Sequence, residues 1–166
     1  MSSEVPSFEE SVLVEVARGL QAANLDAIVI GNAAPALHGA PITTQDIDLF
    51  IRDTPRNVEK IGGLVASLGD HVVASRPFEP TSRMIRIEGL PVDVDLAFEL
   101  SSRTKFGSVR ARSCVVEIED VTVRLADLQD IIDAKRAADR PKDRLTLPLL
   151  GERCILDVSH MSSVWR

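Results

Sequence analysis

The sequence predicts a single α/β (α+β) domain in which helices flank a mixed β-sheet, and three observations carry that reading. Apolar residues recur at helical spacing in some stretches and alternate strictly in others. The two kinds of stretch are interleaved along the chain, with no repeat, linker or low-complexity tract between them. The length of 166 residues, 45% apolar and 27% charged, suits one domain with a real core. The domain is expected to cover residues 1–150, and 151–166 form a C-terminal tail whose structure the sequence leaves open.

In chain order, "SFEESVLVEVARGLQAA" reads as a helix. Ser7 and Glu10 make an S-x-x-E capping box, and Val12, Leu13, Val16, Ala17 and Leu20 form the apolar stripe. "AIVIG", Ala27 to Gly31, is a short apolar run expected as a strand buried on both faces. Asn32 is then expected to cap a short helix through "AAPALHG", with Pro35 in its first turn and Gly39 at its end. After a "PITTQ" loop, "DIDLFIR" reads as a strand. Thr54 and Pro55 supply an N-cap and a first-turn proline for the helix "RNVEKIGGLVASLG", closed by Gly69. "HVVAS", "SRMIRIEG" and "PVDVDLAFE" read as strands, the last two joined by a tight turn at Gly89-Leu90-Pro91. "SCVVEIEDVTVRLA" reads as another hairpin. Asp127 opens the helix "LQDIIDAKRAADR", and Pro141 marks its end.

Composition narrows the function classes. No apolar run approaches the ~20 residues of a membrane span. The start, "MSSEVPSFEE", is acidic and lacks the basic and apolar regions of a signal peptide, so the expected compartment is the cytoplasm. Cys114 and Cys154 lie far apart without a C-x-x-C pair and are read as reduced core thiols. A net charge of −6 argues against non-specific nucleic-acid binding. The charge is uneven: residues 1–100 carry 7 Lys+Arg against 15 Asp+Glu, and 101–166 carry 12 against 10. Such a split places carboxylates on one wall of a cleft and cations on the other, unless the charge is simply scattered.

The chemistry concentrates in two strands. In "GAPITTQDIDLF", Asp46 and Asp48 share one face of a strand, and Ile47, Leu49 and Ile51 share the other. "PVDVDLA" repeats the pattern with Asp93 and Asp95. Like charges side by side repel, and covering them costs desolvation. If the two acidic faces meet, three or four carboxylates converge, a cluster that stays ionised only beside cations. Oxygen ligands without a His or Cys cluster favour Mg²⁺ or Mn²⁺ over Zn²⁺. Two such ions, roughly 3.5–4 Å apart, activate an attacking oxygen and stabilise a leaving pyrophosphate. A single D-x-D strand is usually a solvated face; the second such strand and a glycine turn upstream weigh for a site. That turn, "IVIGNAAPALHG", runs a buried strand through Gly31 into a helix N-terminus, a natural phosphate cradle. Farther on, Leu128, Ile131, Ile132, Lys135 and Ala138 lie on one helical stripe, so Lys135 either snorkels outward or meets anions.

The stretch "IGNAAPALHGAPITTQDIDLF" resembles the hallmark of the DNA polymerase β-like nucleotidyltransferases: an apolar strand, a pair of small residues, a short helix, then D-h-D, with a third acidic residue on a later strand. It is most similar to a small bacterial and archaeal branch that includes the toxins of abortive-infection-type (type IV) toxin–antitoxin pairs. That branch often carries "LHG" and a Thr-x-Asp-Ile-Asp run, here Leu37-His38-Gly39 and Thr44 to Asp48. A second block, "LADLQDIIDAKRAADRPKDRLTLPLL", resembles the same branch, so the similarity spans about Ile28 to Leu150.

The resemblance implies a nucleotidyltransferase-like fold and metal-dependent transfer of a nucleoside monophosphate. The donor would be an NTP with Mg²⁺ or Mn²⁺, the acceptor a hydroxyl on RNA, protein or a small molecule, and the by-product pyrophosphate. By residue, it implies Asp46 and Asp48 as paired metal ligands and Asp93 as the third carboxylate, with Asp95 as fallback. Gly31 and Asn32 occupy the phosphate turn, and Thr44 and Lys135 are nucleotide contacts; Thr43 and Thr44 equally suit loop caps. His38 is read as structural. The run Lys135 to Arg144 is read as a solvated helix end before an RNA contact. Two positions depart from the pattern. Asn32 replaces a small residue, and Ile42 stands where relatives often have a cation that Arg52 or Arg83 would have to replace. These departures motivate an alternative, a catalytically degenerate protein that binds a nucleotide or a partner, and the branch implies an antitoxin protein as one such partner.

Overall fold

The computed structural model describes residues 8–75 and 83–160, without the side chains of 8, 9 and 152–160. Thirteen elements follow in order: α1 (Phe8–Ala22), β1 (Ala27–Ile30), α2 (Ala33–Leu37), β2 (Asp46–Ile51), α3 (Pro55–Leu68), β3 (Val73–Ser75), β4 (Met84–Glu88), β5 (Asp93–Ala97), α4 (Phe106–Arg112), β6 (Cys114–Ile118), β7 (Val121–Leu125), α5 (Leu128–Ala138) and α6 (Pro141–His160). The strands form one mixed sheet in the order β3-β4-β5-β2-β1-β7-β6. β2 pairs in parallel with β5, and β1 with β7. The other neighbours are antiparallel.

The central strands are the most apolar, as burial on both faces requires. Ile28, Val29, Ile47, Leu49, Ile51, Val94 and Leu96 are all essentially inaccessible. α1 and α3 pack together, with Val12, Leu13, Val16 and Ala17 of one meeting the core beside Ile61 and Leu64 of the other. Their approach is close: a side chain at Gly19 would meet Leu64 at 2.6 Å. α2 touches β1, β2 and α5, and α5 packs along α6, so the chain's second half closes on the end of the sheet where β1 stops and β2 starts.

Most element boundaries follow the local signals. Thr54 Oγ1 accepts from the Asn57 N–H, and Pro55 starts α3. Asp127 accepts from Gln129 N–H at the start of α5. Two features differ from the expectation and two go beyond it. α4 lacks a sequence signal; Phe106 and Val109 anchor it in the core, and Arg112 forks onto the buried carboxylate of Asp130 at 2.6 and 3.0 Å. α5 ends earlier, at Asp139 in the left-handed region, and Pro141 opens the next helix. α6 then continues to His160, so the first ten residues of the expected tail are helical. Cys114 is exposed on β6 rather than in the core. Ser7 of the capping box lies outside the described residues, as does the side chain of Cys154.

Candidate active site

β2 and β5 run side by side in register, so Asp46 is paired with Asp93 and Asp48 with Asp95. In-register neighbours point to the same side of the sheet, one strand spacing (~4.8 Å) apart. The two acidic faces therefore form one face, two rungs of carboxylates. Val94 and Leu96, with Ile47 and Leu49, are buried on the opposite side, which fixes the register: a slip of one residue would bury the aspartates instead.

Burial and counter-charge distinguish the four. Asp46 and Asp93 begin their strands and are exposed; Asp48 is half-buried and Asp95 is 5% exposed. Asp95 is met by Arg86, paired with it across the β4–β5 ladder. Arg86 donates from Nε to Oδ1 at 2.8 Å and from Nη2 to Oδ2 at 2.9 Å, a bidentate fork. Its Nη1 also lies 4.0 Å from Asp93 Oδ2. Among the described residues, no such partner reaches Asp48. Burial, followed by the charges of Asp95 and Asp46, pushes its carboxyl up to about 6, only partly opposed by Lys142 and Arg140.

The glycine turn leans on this carboxylate. Ile30 pairs with Asp48 across β1 and β2, and Gly31 follows in the left-handed region at φ +64. A Cβ there would sit 2.2 Å from Asp48 Oδ2. Asn32 occupies the N-cap position of α2, but its side chain makes no cap bond. It accepts instead from Lys135 Nζ at 2.7 Å. Lys135 thus points inward, as its stripe predicts, and spans from α5 to the turn. Its Nζ also lies 3.5 Å from Oδ1 of Asp143, which is fully buried. Arg140 donates to Asp143 from its backbone N–H and guanidinium, with Nε–Oδ2 at 2.7 Å. Burial pushes the Asp143 carboxyl up, but Arg140 and Lys135 more than reverse this and hold it below the usual range. Burial also pulls the Lys135 ammonium down, against the raising effect of Asp143.

A family model described as a nucleotidyl transferase of unknown function (DUF2204) matches residues 9–155. The chain belongs to this nucleotidyl transferase family. Solved structures share its fold. A Thermotoga maritima protein regarded as a nucleotidyltransferase matches with a TM-score of 0.64 at 17% identity, over 89% of this chain and 94% of that one. ANT(2'')-Ia, solved in complex with adenylyl-2''-tobramycin, gives 0.59 at 17% identity over 89% and 90%. An antigenic nucleotidyltransferase-like protein from Paracoccidioides brasiliensis gives 0.57 at 19% over 85% and 74%. At these identities the likeness is one of fold. No curated protein matches the sequence.

The remaining candidates of this nucleotidyl transferase-family chain take mostly local roles. Thr44 Oγ1 donates to the Asp46 carbonyl at 2.7 Å and accepts from the Asp46 N–H at 3.3 Å, bracing the entry to β2. His38 Nε2 donates to the Ala126 carbonyl at 2.9 Å, a structural bond between α2 and the start of α5. Ile42 packs against the core. Arg52 lies over the Phe106 ring, 5.0 Å from its centroid, and Arg83 pairs with Asp53. Both arginines sit beyond the far end of β2 from Asp46, so neither replaces a cation at position 42. Positive charge does act on Asp48, but from the α5–α6 junction, where Lys142 and Arg140 lie. The run Lys135 to Arg144 is mostly exposed, as read, but it spans the junction of α5 and α6 and carries its own pairs, which include Asp139 with Arg144 at 2.7 Å.

Arg86, Asp143 and Lys142 escaped the sequence reading. Arg86 was hidden by one residue of loop: counting outward from a Gly89-Leu90-Pro91 turn puts Arg86 opposite Val94, whereas the connection spans residues 89–92 and brings Arg86 opposite Asp95. Among the described residues, no three His, Cys, Asp or Glu side chains are arranged to hold a metal ion by themselves. Arg86 draws Asp95 toward β4. A cavity of about 470 Å³, lined by Leu13, Ala17, Val29, Leu49 and Arg110, contains none of the four aspartates. Among the described residues, no helix is long and apolar enough to cross a membrane.

Proposed function

We propose that the protein binds an NTP with Mg²⁺ or Mn²⁺ at Asp46, Asp48 and Asp93 and transfers the nucleoside monophosphate to an acceptor hydroxyl, releasing pyrophosphate. The observation that carries this reading is the in-register pairing of the two D-h-D strands, with Asp48 pressed against Gly31. The donor set fits the ion: hard carboxylate oxygens, among them one whose charge is poorly compensated inside the protein. Carboxylates alone do not complete the coordination sphere, which suits Mg²⁺, since that ion keeps waters and takes substrate phosphates as ligands. Bound there, a divalent ion supplies charge neutralisation for the triphosphate and the leaving pyrophosphate.

The chain's own residues then position the substrate. Gly31 lets the backbone approach the phosphates. Lys135 orients Asn32 in the turn, and Lys142 and Arg140 provide positive potential opposite the aspartates. Thr44 fixes the backbone from which Asp46 projects.

Calorimetry with ATP, GTP, CTP and UTP, with and without Mg²⁺, tests binding. Labelled-NTP transfer to RNA, protein and small hydroxyl compounds then identifies the acceptor. Metal-dependent binding of at least one NTP, lost in Asp48→Asn, is expected; its absence for all four sinks the catalytic reading. A second reading, a degenerate nucleotide- or partner-binding protein, is favoured by Ile42, which contributes packing where the resemblance expects a cation. Nucleotide binding without any transfer decides for it. The toxin role rests on the sequence resemblance and predicts that an antitoxin gene lies beside this one and that its product binds this protein in a pull-down.

A further inference from the structure

Four carboxylates line the β2–β5 face, and among the described residues Arg86 is the cation that touches them. It grips the most buried of the four, Asp95, with both arms and reaches toward Asp93 with its third nitrogen, 4.0 Å away. The placement is imposed by the fold: β4 and β5 form a hairpin, and Arg86 and Asp95 are directly opposed in it. A guanidinium suits this position because its planar fork satisfies both oxygens of one carboxylate, which an ammonium cannot do.

The consequence concerns the metal. Asp95 is the neighbour of Asp48 in the same rung, so it stands where a fallback ligand would be needed. Its two oxygens, however, are already engaged by Arg86. A cation arriving at Asp46 and Asp48 meets a fixed positive charge on the far side of Asp95. We propose that Arg86 is the resident counter-ion of the site: it neutralises Asp95, keeps it out of the metal's ligand set, and sets how tightly a divalent ion binds at Asp46, Asp48 and Asp93. This rests on the metal-binding reading given above. Arg86 is accordingly a positioning residue that acts through Asp95 and through its own charge.

The test is titration with Mn²⁺ alone, by calorimetry and by the metal-induced rise in Tm, of the unmodified protein, Arg86→Gln and the double variant Arg86→Gln/Asp95→Asn. Removing one positive charge at under about 10 Å from the ion should tighten Mn²⁺ binding in Arg86→Gln about tenfold and enlarge its Tm rise. The double variant removes a neutral pair and keeps a hydrogen-bonded one of similar shape. It should bind Mn²⁺ within about threefold of the unmodified protein. Affinity in Arg86→Gln equal to or weaker than that of the unmodified protein overturns the proposal. So does a loss beyond about tenfold in the double variant, which would make Asp95 a ligand. If Arg86→Gln does not fold, the double variant decides alone. Absence of Mn²⁺ binding in every protein removes the metal-binding reading itself, and this inference with it, whereas binding unchanged by Arg86→Gln removes this inference only.

Discussion

Gly31 and Asp48 are in van der Waals contact across the β1–β2 ladder, and the contact leaves no room for a Cβ: one would lie 2.2 Å from Asp48 Oδ2. Gly31→Ala therefore meets two penalties. The backbone is at φ +64, where a non-glycine residue costs roughly 1–2 kcal/mol, and the methyl group must push the carboxylate aside. We expect Gly31→Ala to lower stability by about 1–3 kcal/mol. NTP binding in the presence of Mg²⁺ should fall at least tenfold while the circular dichroism spectrum stays native. Unchanged nucleotide affinity would show that the turn and Asp48 do not form one site.

The Asp48 carboxyl makes its own mark on pH dependence. Its pKa rises from 3.8 to about 6 on folding, so between those values the folded state holds the extra proton and stability falls as pH rises. Below the lower value both states are protonated and nothing is lost. Above the upper value the penalty is complete, on the order of 3 kcal/mol. Without metal, Asp48→Asn should therefore gain stability over the unmodified protein as pH climbs from about 4 to about 7, measured as a difference in urea unfolding free energy. A difference that is flat across that window would mean that Asp48 is not strained by its neighbours.

The strands carrying the acidic pairs were legible because a period of two survives in sequence as alternation. That β2 and β5 would be adjacent and in register was not, since parallel strands are joined by a crossover, here α3, β3 and β4, whose length says nothing about register. Nor was the antiparallel partner of Asp95, because the connection between β4 and β5 is one residue longer, 89–92, than the turn that the sequence marks. α4 was hidden because only Phe106 and Val109 of its seven residues face the core, too few to establish a period. α6 was hidden by Pro148 within it and by its weak segregation of apolar residues. Asn32 reads as a cap by residue type, but a lysine 103 positions away takes its side chain, a tertiary contact that local propensity does not encode.

Position 42 directs attention to where the positive charge actually lies. Arg83 is tied to Asp53 at the far end of β2, whereas Lys142 acts on Asp48 from the start of α6. Lys142→Ala should weaken NTP binding several-fold, and Arg83→Ala should leave it unchanged. The comparison is best made by calorimetry at two ionic strengths, because an exposed cation's contribution shrinks as salt rises. Equal effects from the two substitutions would remove the α5–α6 junction as the cationic wall.

Asp143 is the buried anion on which that junction is built. It accepts from the Arg140 backbone N–H and guanidinium and lies beside Lys135, itself only 7% exposed. Asp143→Ala strands a buried ammonium whose remaining partner is the Asn32 amide oxygen. Breaking a buried pair from one side costs about 3–5 kcal/mol, which for a chain of this size lowers Tm by on the order of 10 °C. Lys135→Met/Asp143→Asn leaves no orphaned charge and should recover more than half of that loss. The exposed pair of Asp139 and Arg144, which bridges the same turn, serves as the control: Arg144→Ala should leave Tm within error of its starting value. If Asp143→Ala costs no more than Arg144→Ala, the junction is held by helix packing rather than by its buried charges, and Lys135 is then free to serve the nucleotide directly.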